Sequence, residues 1–383
     1  MNRTIRGEET VLVIGMPDSI HLSRWLEQFT DTGINFYIFP SSPARRVRPE
    51  LRALLDQAPQ KFNLVGFPIF MAAPLWLMDK FLANSIRGFL LGLAIRRISP
   101  SIVHAVELQN AGYILLRASR GRWAPLIPGK IIITNWGSDI YWFRQFPQHL
   151  RKIKELLQLA THYSAECHRD VDLARELGYS GEVLPVSPNS GGLPDYVFDA
   201  DLVPPSERSV LLVKGYHGWV GRAILALKAI ESVAADLRQM KVVVYSCNFS
   251  TKLVARRLGR RTGLSVEVFG KGRLSHNQML ELFRSAKIHV GISLSDAIST
   301  AVLESLASGA IPVQSATACI DEWITSGGVV VKGTEVGEIA KGILAGISLA
   351  DEASDQWREN RESLRSKASR SAVILATSAF YSG

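Results

Sequence analysis

Short apolar runs recur along this chain at the spacing of a parallel α/β sheet, and that recurrence constrains the fold more than any other feature. Thr10–Gly15 (TVLVIG) ends in glycine, leads through the loop Met16–Ile20, and is followed by His21–Thr32, where Leu22, Trp25, Leu26 and Phe29 fall at helical spacing. Ile34–Phe39, Ile102–Ala105 and Lys130–Thr134 repeat the theme, each run closing on a polar turn before a helix-like segment. Such strand–helix alternation predicts a parallel sheet with helices on both faces. It pauses at Ser187–Arg208, a stretch rich in Pro, Gly, Ser and Asp that reads as a linker.

Alternation then restarts. Strands are predicted at Ser209–Val213, Lys241–Tyr245, Ser265–Phe269, Ile288–Gly291, Ile311–Gln314 and Val329–Val331. The intervening helices are Gly221–Leu237, Ser250–Thr262, His276–Ala286 and a segment ending near Ser308. Val336–Ser348 is a further helix, and Ala353–Phe380 reads as helical throughout. The expected class is α/β: two doubly wound, Rossmann-like domains facing a cleft, with ligands at the carboxyl ends of the strands. Boundaries are expected at 1–190 and 191–355, with 356–383 a C-terminal helix packing back towards the first domain.

The bulk numbers agree. A chain of 383 residues is too long for one core and suits two domains of roughly 150–200 residues. Its three cysteines, Cys167, Cys247 and Cys319, are far apart and form no C-x-x-C pair, which fits a reducing compartment and argues against a disulfide framework or zinc site. A net charge of +9 favours anionic partners. Basic clusters stand at Ala44–Arg48, Arg96-Arg97 and Arg256–Arg261, but without zinc-finger spacing or an aromatic-rich basic strand, so nucleic acid is not the expected partner. The N-terminus is polar and is not read as a signal peptide. Phe62–Met78 is almost uncharged, yet it is shorter than the about 20 residues of a span and is broken by Pro68 and Pro74. Core packing and interfacial membrane docking, with Trp76, Phe81 and Phe89 beside Lys80, Arg87 and Arg96, are both open for Phe62–Ile98.

Two constellations in the second half carry chemistry. In Ser295–Pro312 (SDAISTAVLESLASGAIP), Asp296 falls in the loop after a strand. Ser299 or Thr300 can cap the following helix, Gly309 ends it, and Glu304 lies about 6–8 Å along its axis. Unsatisfied N–H groups at the helix start favour an anion, and carboxylates on either side suit hydroxyl-rich ligands. The plain alternative is an acid favouring the helix dipole plus a solvent-facing Glu; Val302, Leu303, Leu306 and Ala307 leave little room for that exposed face. No third acid or histidine stands nearby, so no metal site is expected. Lys214–Arg222 (KGYHGWVGR) directly follows a strand and combines three glycines with Lys214 and Arg222, the material of a phosphate clamp, though without P-loop or dinucleotide spacing. In the first half, Gly15–Trp25, His104–Tyr113 and Asn135–Tyr141 are polar turns at strand ends, whose groups should converge on the cleft.

Together these pieces resemble glycosyltransferase family 4, the retaining group 1 transferases of the GT-B fold. The resemblance rests on S-x-H-x-x-R-W at Ser19–Trp25, V-H-A at Val103–Ala105, W-G-S-D at Trp136–Asp139, S-P-N-S-G-G-L at Ser187–Leu193, the acid-x7-acid pair Asp296 and Glu304, and A-x-G-x-P-V at Ala307–Val313. It implies an acceptor-binding first domain and a nucleotide-sugar-binding second. The activity implied is transfer of a hexose, with retention, from a nucleotide diphosphate sugar to a glycan or lipid-linked acceptor in cell-surface polysaccharide biosynthesis.

By position, Asp296 would meet the donor sugar and Glu304 the ribose. Gly15, Ser299 and Thr300 would line the donor, and Lys214 and Arg222 would neutralise the leaving phosphates without a metal or other cofactor. His21, His104, Glu107 and Asp139 are implied on the acceptor or cleft side. The chain departs from the family pattern in having Asp296 where Glu is usual, Ala297 where Gly is usual, and the clamp charges in reverse order. The implied location is cytoplasmic, peripheral on the inner face of the membrane through Phe62–Ile98. A non-catalytic nucleotide-sugar-binding partner subunit and a GT-B nucleotide-sugar epimerase are the alternatives.

Overall fold

The structure is a computed structural model that describes residues 9–42, 47–65, 77, 79, 82, 85–120, 124, 127–324, 326–352 and 355–381. The chain forms two compact units, Met1–Gly192 with Val373–Gly383, and Leu193–Ala372.

In the first unit, strands β1 (Thr10–Gly15), β2 (Asn35–Pro40), β3 (Phe62–Leu64), β4 (Ile102–Ala105), β5 (Lys130–Thr134), β6 (His162–Ser164) and β7 (Glu182–Val183) form a sheet in the order β3-β2-β1-β4-β5-β6-β7. Each neighbouring pair is parallel, β1 being held on both sides, with Val11 beside Phe36 and Ile102. Val11, Leu12, Val13 and Ile14 are all fully buried, as a central parallel strand with both faces covered requires. Leu12 and Ile14 pack with Val103, Ile133, Ile153 and Leu156, whereas Val11 and Val13 pack with Leu22, Trp25, Phe36 and Phe380. The period of two in the strand thus sends alternate residues to helices on opposite faces.

In the second unit, β8 (Val210–Lys214), β9 (Lys241–Cys247), β10 (Ser265–Gly270), β11 (Ala286–Gly291), β12 (Ile311–Ser315) and β13 (Val329–Val331) form a parallel sheet ordered β10-β9-β8-β11-β12-β13. Leu211, Val213, Val242 and Val290 pack on one face with Ala226, Ile230 and Ile343; Leu212, Val243 and Tyr245 pack on the other with Phe283. In both sheets the strand order reverses beside the first strand, between β1 and β4 and between β8 and β11. In such sheets the crevice at the carboxyl ends of those two strands is where a ligand finds exposed backbone and side chains.

Several elements differ from expectation. The helix predicted over Gly221–Leu237 spans Ala223–Ser232, because Gly221 and Arg222 are held in isolated bridges to Ser293 and His217. The segment expected as continuously helical is two helices, Gln356–Ala368 and Arg370–Thr377, parted at Ser369, which forms a bridge with Leu193. Trp357 and Leu364 pack in the second unit, whereas Phe380 and Tyr381 pack in the first. Of the apolar stretch Phe62–Met78, Phe62–Leu64 forms the edge strand β3, and 66–76 and 78 lie outside the described residues, as do Lys80, Phe81 and 43–46 of the first basic cluster. The helix Ser85–Ile98 buries Leu91, Ala94 and Ile95 and leaves Phe89 and Leu93 half exposed. Among the described residues, no helix is long and apolar enough to cross a membrane.

Candidate active site

Both chemical constellations of the second unit meet at its switch point. Lys214 ends β8, and the loop carrying Asp296 leaves the neighbouring β11. Lys214 Nζ stands 3.5 Å from Asp296 Oδ2, with both side chains about 30% exposed, so solvent and ligand can reach the pair. The glycine-rich loop after β8 is pinned against the loop after β11 by Arg222 N–H to Ile292 O (2.8 Å) and Leu294 N–H to Val220 O (2.8 Å). A Cβ on Gly221 would lie 2.4 Å from Tyr216 O, so only glycine permits that approach. The Arg222 guanidinium turns back on its own loop, donating to Gly218 O at 2.8 Å and Gly221 O at 2.9 Å. It shapes the loop in this conformation.

The helix after Asp296 runs Thr300–Ala307. Ser299 is its N-cap, with Oγ accepting from Val302 N at 3.3 Å. The amides of Thr300 and Ala301 lie in the first turn, where no intrahelical acceptor exists. Glu304 is nearly buried (7% exposed) and accepts from, or pairs with, His276 Nε2 at 2.8 Å. His276 opens the helix His276–Ser285, which is fixed by a reciprocal capping box between Ser275 and Gln278. Beneath them, Tyr245 hydroxyl bonds His289 Nε2 at 2.9 Å. Burial, and secondarily the Lys214 charge, lowers His289 to about 3, so the ring is neutral. Burial and the nearby Glu304 charge push the Tyr245 hydroxyl well above its usual range.

The far end of the Glu304 helix is held by two arginines. Arg208 donates to Ser308 O (2.9 Å) and Ala286 O (3.0 Å), and Arg361 to Ala307 O (2.9 Å) and Ala200 O (2.8 Å). Cations on the last carbonyls satisfy groups the helix cannot, and favour its dipole. Neither arginine, nor His276, was predicted from the sequence.

In the first unit the polar turns also gather at the carboxyl edge. Glu107, in the turn after β4, accepts from Ser41 Oγ (2.9 Å) after β2 and from Asn110 Nδ2 (3.0 Å). Asp139 Oδ2, after β5, accepts from Leu108 N (2.9 Å) and Trp136 N (3.1 Å). Burial raises both carboxyls, Asp139 to about 8, with the Glu107 charge adding to the effect on Asp139. Gly15 ends β1, where a Cβ would stand 3.1 Å from the Leu22 methyls. His21 follows the N-cap Ser19, whose Oγ accepts from His21 N at 3.2 Å, and its ring meets Trp136 edge-on at 5.7 Å.

His104, expected on the acceptor or cleft side, is fully buried with both ring nitrogens engaged, Nδ1 with Tyr381 hydroxyl at 2.6 Å and Nε2 with Thr134 Oγ1 at 2.7 Å. Burial lowers its pKa to about 3.

Solved structures place this architecture among the GT-B glycosyltransferases. The chain superposes on a glycosyltransferase from Rickettsia africae with a TM-score of 0.67 at 14% identity, covering 98% of each chain. On Anabaena HepE in complex with UDP-glucose the TM-score is 0.66 at 12% identity, over 97% of this chain and 98% of that one. On the lipopolysaccharide outer core galactosyltransferase WaaB it is 0.68 at 13%, over 97% and 98%. The fold is therefore GT-B. Residues 196–364, which include Lys214, Asp296 and Glu304, match the family described as Glycosyl transferases group 1. No curated protein matches the sequence.

Proposed function

We propose that this chain is a retaining glycosyltransferase of family 4, moving a hexose from a nucleotide diphosphate sugar to a glycan or lipid-linked acceptor. The observation that carries the reading is the convergence of Lys214, Asp296, the Ser299–Ala301 turn and Glu304 at the switch point of the second sheet. Glu304, held by His276, presents its carboxylate to the ribose hydroxyls. The Thr300 and Ala301 amides, the Ser299 hydroxyl and Lys214 receive the diphosphate. Arriving phosphate competes for Lys214, which frees Asp296 to accept from sugar hydroxyls. Arg222, at the end of the same glycine-rich loop, completes the donor contacts in the second unit.

As the glycosidic bond to phosphate breaks, the cations and amides stabilise charge on the leaving diphosphate. The departing phosphate oxygen takes the proton of the attacking acceptor hydroxyl on the same face, which retains configuration without a protein nucleophile or a metal. The HepE complex with UDP-glucose favours a uridine donor. The first unit, with His21, Glu107 and Asp139, takes the acceptor. Likeness to a lipopolysaccharide galactosyltransferase supports a role in cell-surface polysaccharide synthesis. The exposed Phe89 and Leu93 beside Arg96 and Arg97 support peripheral contact with the cytoplasmic face of a membrane.

Glu304→Ala is expected to lower transfer by orders of magnitude while circular dichroism stays native; unchanged turnover overturns the site. Transfer or donor hydrolysis separates an enzyme from a binding subunit, and product formed without acceptor would identify an epimerase.

A further inference from the structure

The helix Phe249–Thr262 (FSTKLVARRLGRRT) contains five basic residues and no acidic one. It lies against β10, the edge strand of the second sheet. Its inner side is defined by Thr251, Ala255 and Leu258, all buried. At about 100° per residue, Phe249, Leu253, Arg256 and Arg260 fall within a narrow stripe on the opposite side, with Arg257 flanking it. Phe249 is 77% exposed and Leu253 51%, among the more exposed large apolar side chains of the protein. Arg256, Arg257 and Arg260 have no ion pair among the described residues, whereas neighbouring Arg261 is tied to Glu231 at 3.0 Å. Between the stripe and the edge strand runs an open groove of about 590 Å³, floored by Gly259, Leu264 and Val266 and flanked by Arg256 and Arg260.

We infer that this face docks on an anionic lipid bilayer, with the helix lying in the headgroup layer. Three observations select that occupant. The stripe couples large wet apolar side chains to unpaired cations, the combination an interfacial helix uses: Phe249 and Leu253 enter the acyl boundary while the arginines meet lipid phosphates. A nucleic acid backbone would satisfy the arginines and leave Leu253 and the apolar groove floor in water. A second copy meeting this face about a two-fold axis would bring arginine against arginine. The stripe shares no residue with Lys214, Asp296 or Glu304, so the inference does not depend on glycosyl transfer.

The test is flotation of the full chain with vesicles of phosphatidylcholine, with and without phosphatidylglycerol. Wild type is expected to float only with the anionic vesicles and to be released by salt. Neutralising the stripe with Arg256→Gln, Arg257→Gln and Arg260→Gln together should weaken partition about a hundredfold. Phe249→Ser with Leu253→Ser should weaken it at least about tenfold. Phe89→Ser with Leu93→Ser serves as the comparison surface, and circular dichroism checks each fold. The inference is overturned if wild type does not float, if the arginine variant floats as wild type does, or if only the Phe89/Leu93 variant fails. Binding of single-stranded RNA through these arginines without vesicle binding, or a dimer dispersed by the same substitutions, overturns it equally.

Discussion

Tyr381→Phe removes one oxygen atom from the interior of the first unit and should be costly. That hydroxyl accepts from Trp25 Nε1 at 3.0 Å and bonds His104 Nδ1 at 2.6 Å, with all three residues at most 2% exposed. A neutral His104 carrying its proton on Nε2 satisfies the set: tyrosine donates to Nδ1, tryptophan donates to tyrosine, and Nε2 donates to Thr134 Oγ1. Phenylalanine fills the same space but strands one buried donor and one buried acceptor. Each costs about 1–3 kcal/mol, so a loss of about 2–6 kcal/mol is expected. Urea denaturation followed by tryptophan fluorescence reads it as a lower midpoint at unchanged slope. A change below about 0.5 kcal/mol, the range of ordinary surface substitutions, would refute the buried network as a source of stability.

Three further outcomes are expected. Asp139→Asn keeps an oxygen for Leu108 N and Trp136 N but removes a carboxyl that folding raises to about 8. Because the folded state holds that proton more tightly, its contribution is full below the unfolded pKa near 3.8 and is lost as pH rises through 8. Wild type should therefore lose up to about 1.4 kcal/mol per pH unit relative to the variant between pH 5 and 7, and parallel stability profiles would count against it. Gly309→Ala should cost about 2–4 kcal/mol in the same denaturation assay, since Gly309 has φ +78° and a Cβ there would sit 2.8 Å from the Trp357 ring. His276→Ala releases the Glu304 carboxylate from its 2.8 Å partner and should raise the donor KM about tenfold with kcat little changed, as loss of one charge-assisted hydrogen bond implies.

The long strands were legible because they are buried on both faces: T-V-L-V-I-G and V-L-L-V-K are near-continuous apolar runs. β6 and β7, with three and two residues, are too short for any period to emerge, and β3 was hidden inside a longer apolar stretch. Asp296 and Glu304 could be singled out because their neighbours are small or apolar, leaving the acids without an ordinary surface role. His276 could not, because it reaches Glu304 only through the packing of two helices, 28 positions apart. The bond of His104 to Tyr381 was not legible, because the two are 277 positions apart and no local pattern announces it. Arg208 and Arg361 reach the carbonyls ending the Glu304 helix from 100 and 54 positions away, so no local pattern marks them.

The central claim is that Asp296, Lys214 and Glu304 form a nucleotide-sugar site, and donor-induced stabilisation tests it most directly. Thermal shift of wild type against UDP-, GDP- and ADP-sugars should find one donor that, at about 100 times its dissociation constant, stabilises by about 2.7 kcal/mol. Glu304→Ala at that same concentration should lose most of the shift. A panel with no stabilising donor, or an equal shift in the variant, would contradict the account.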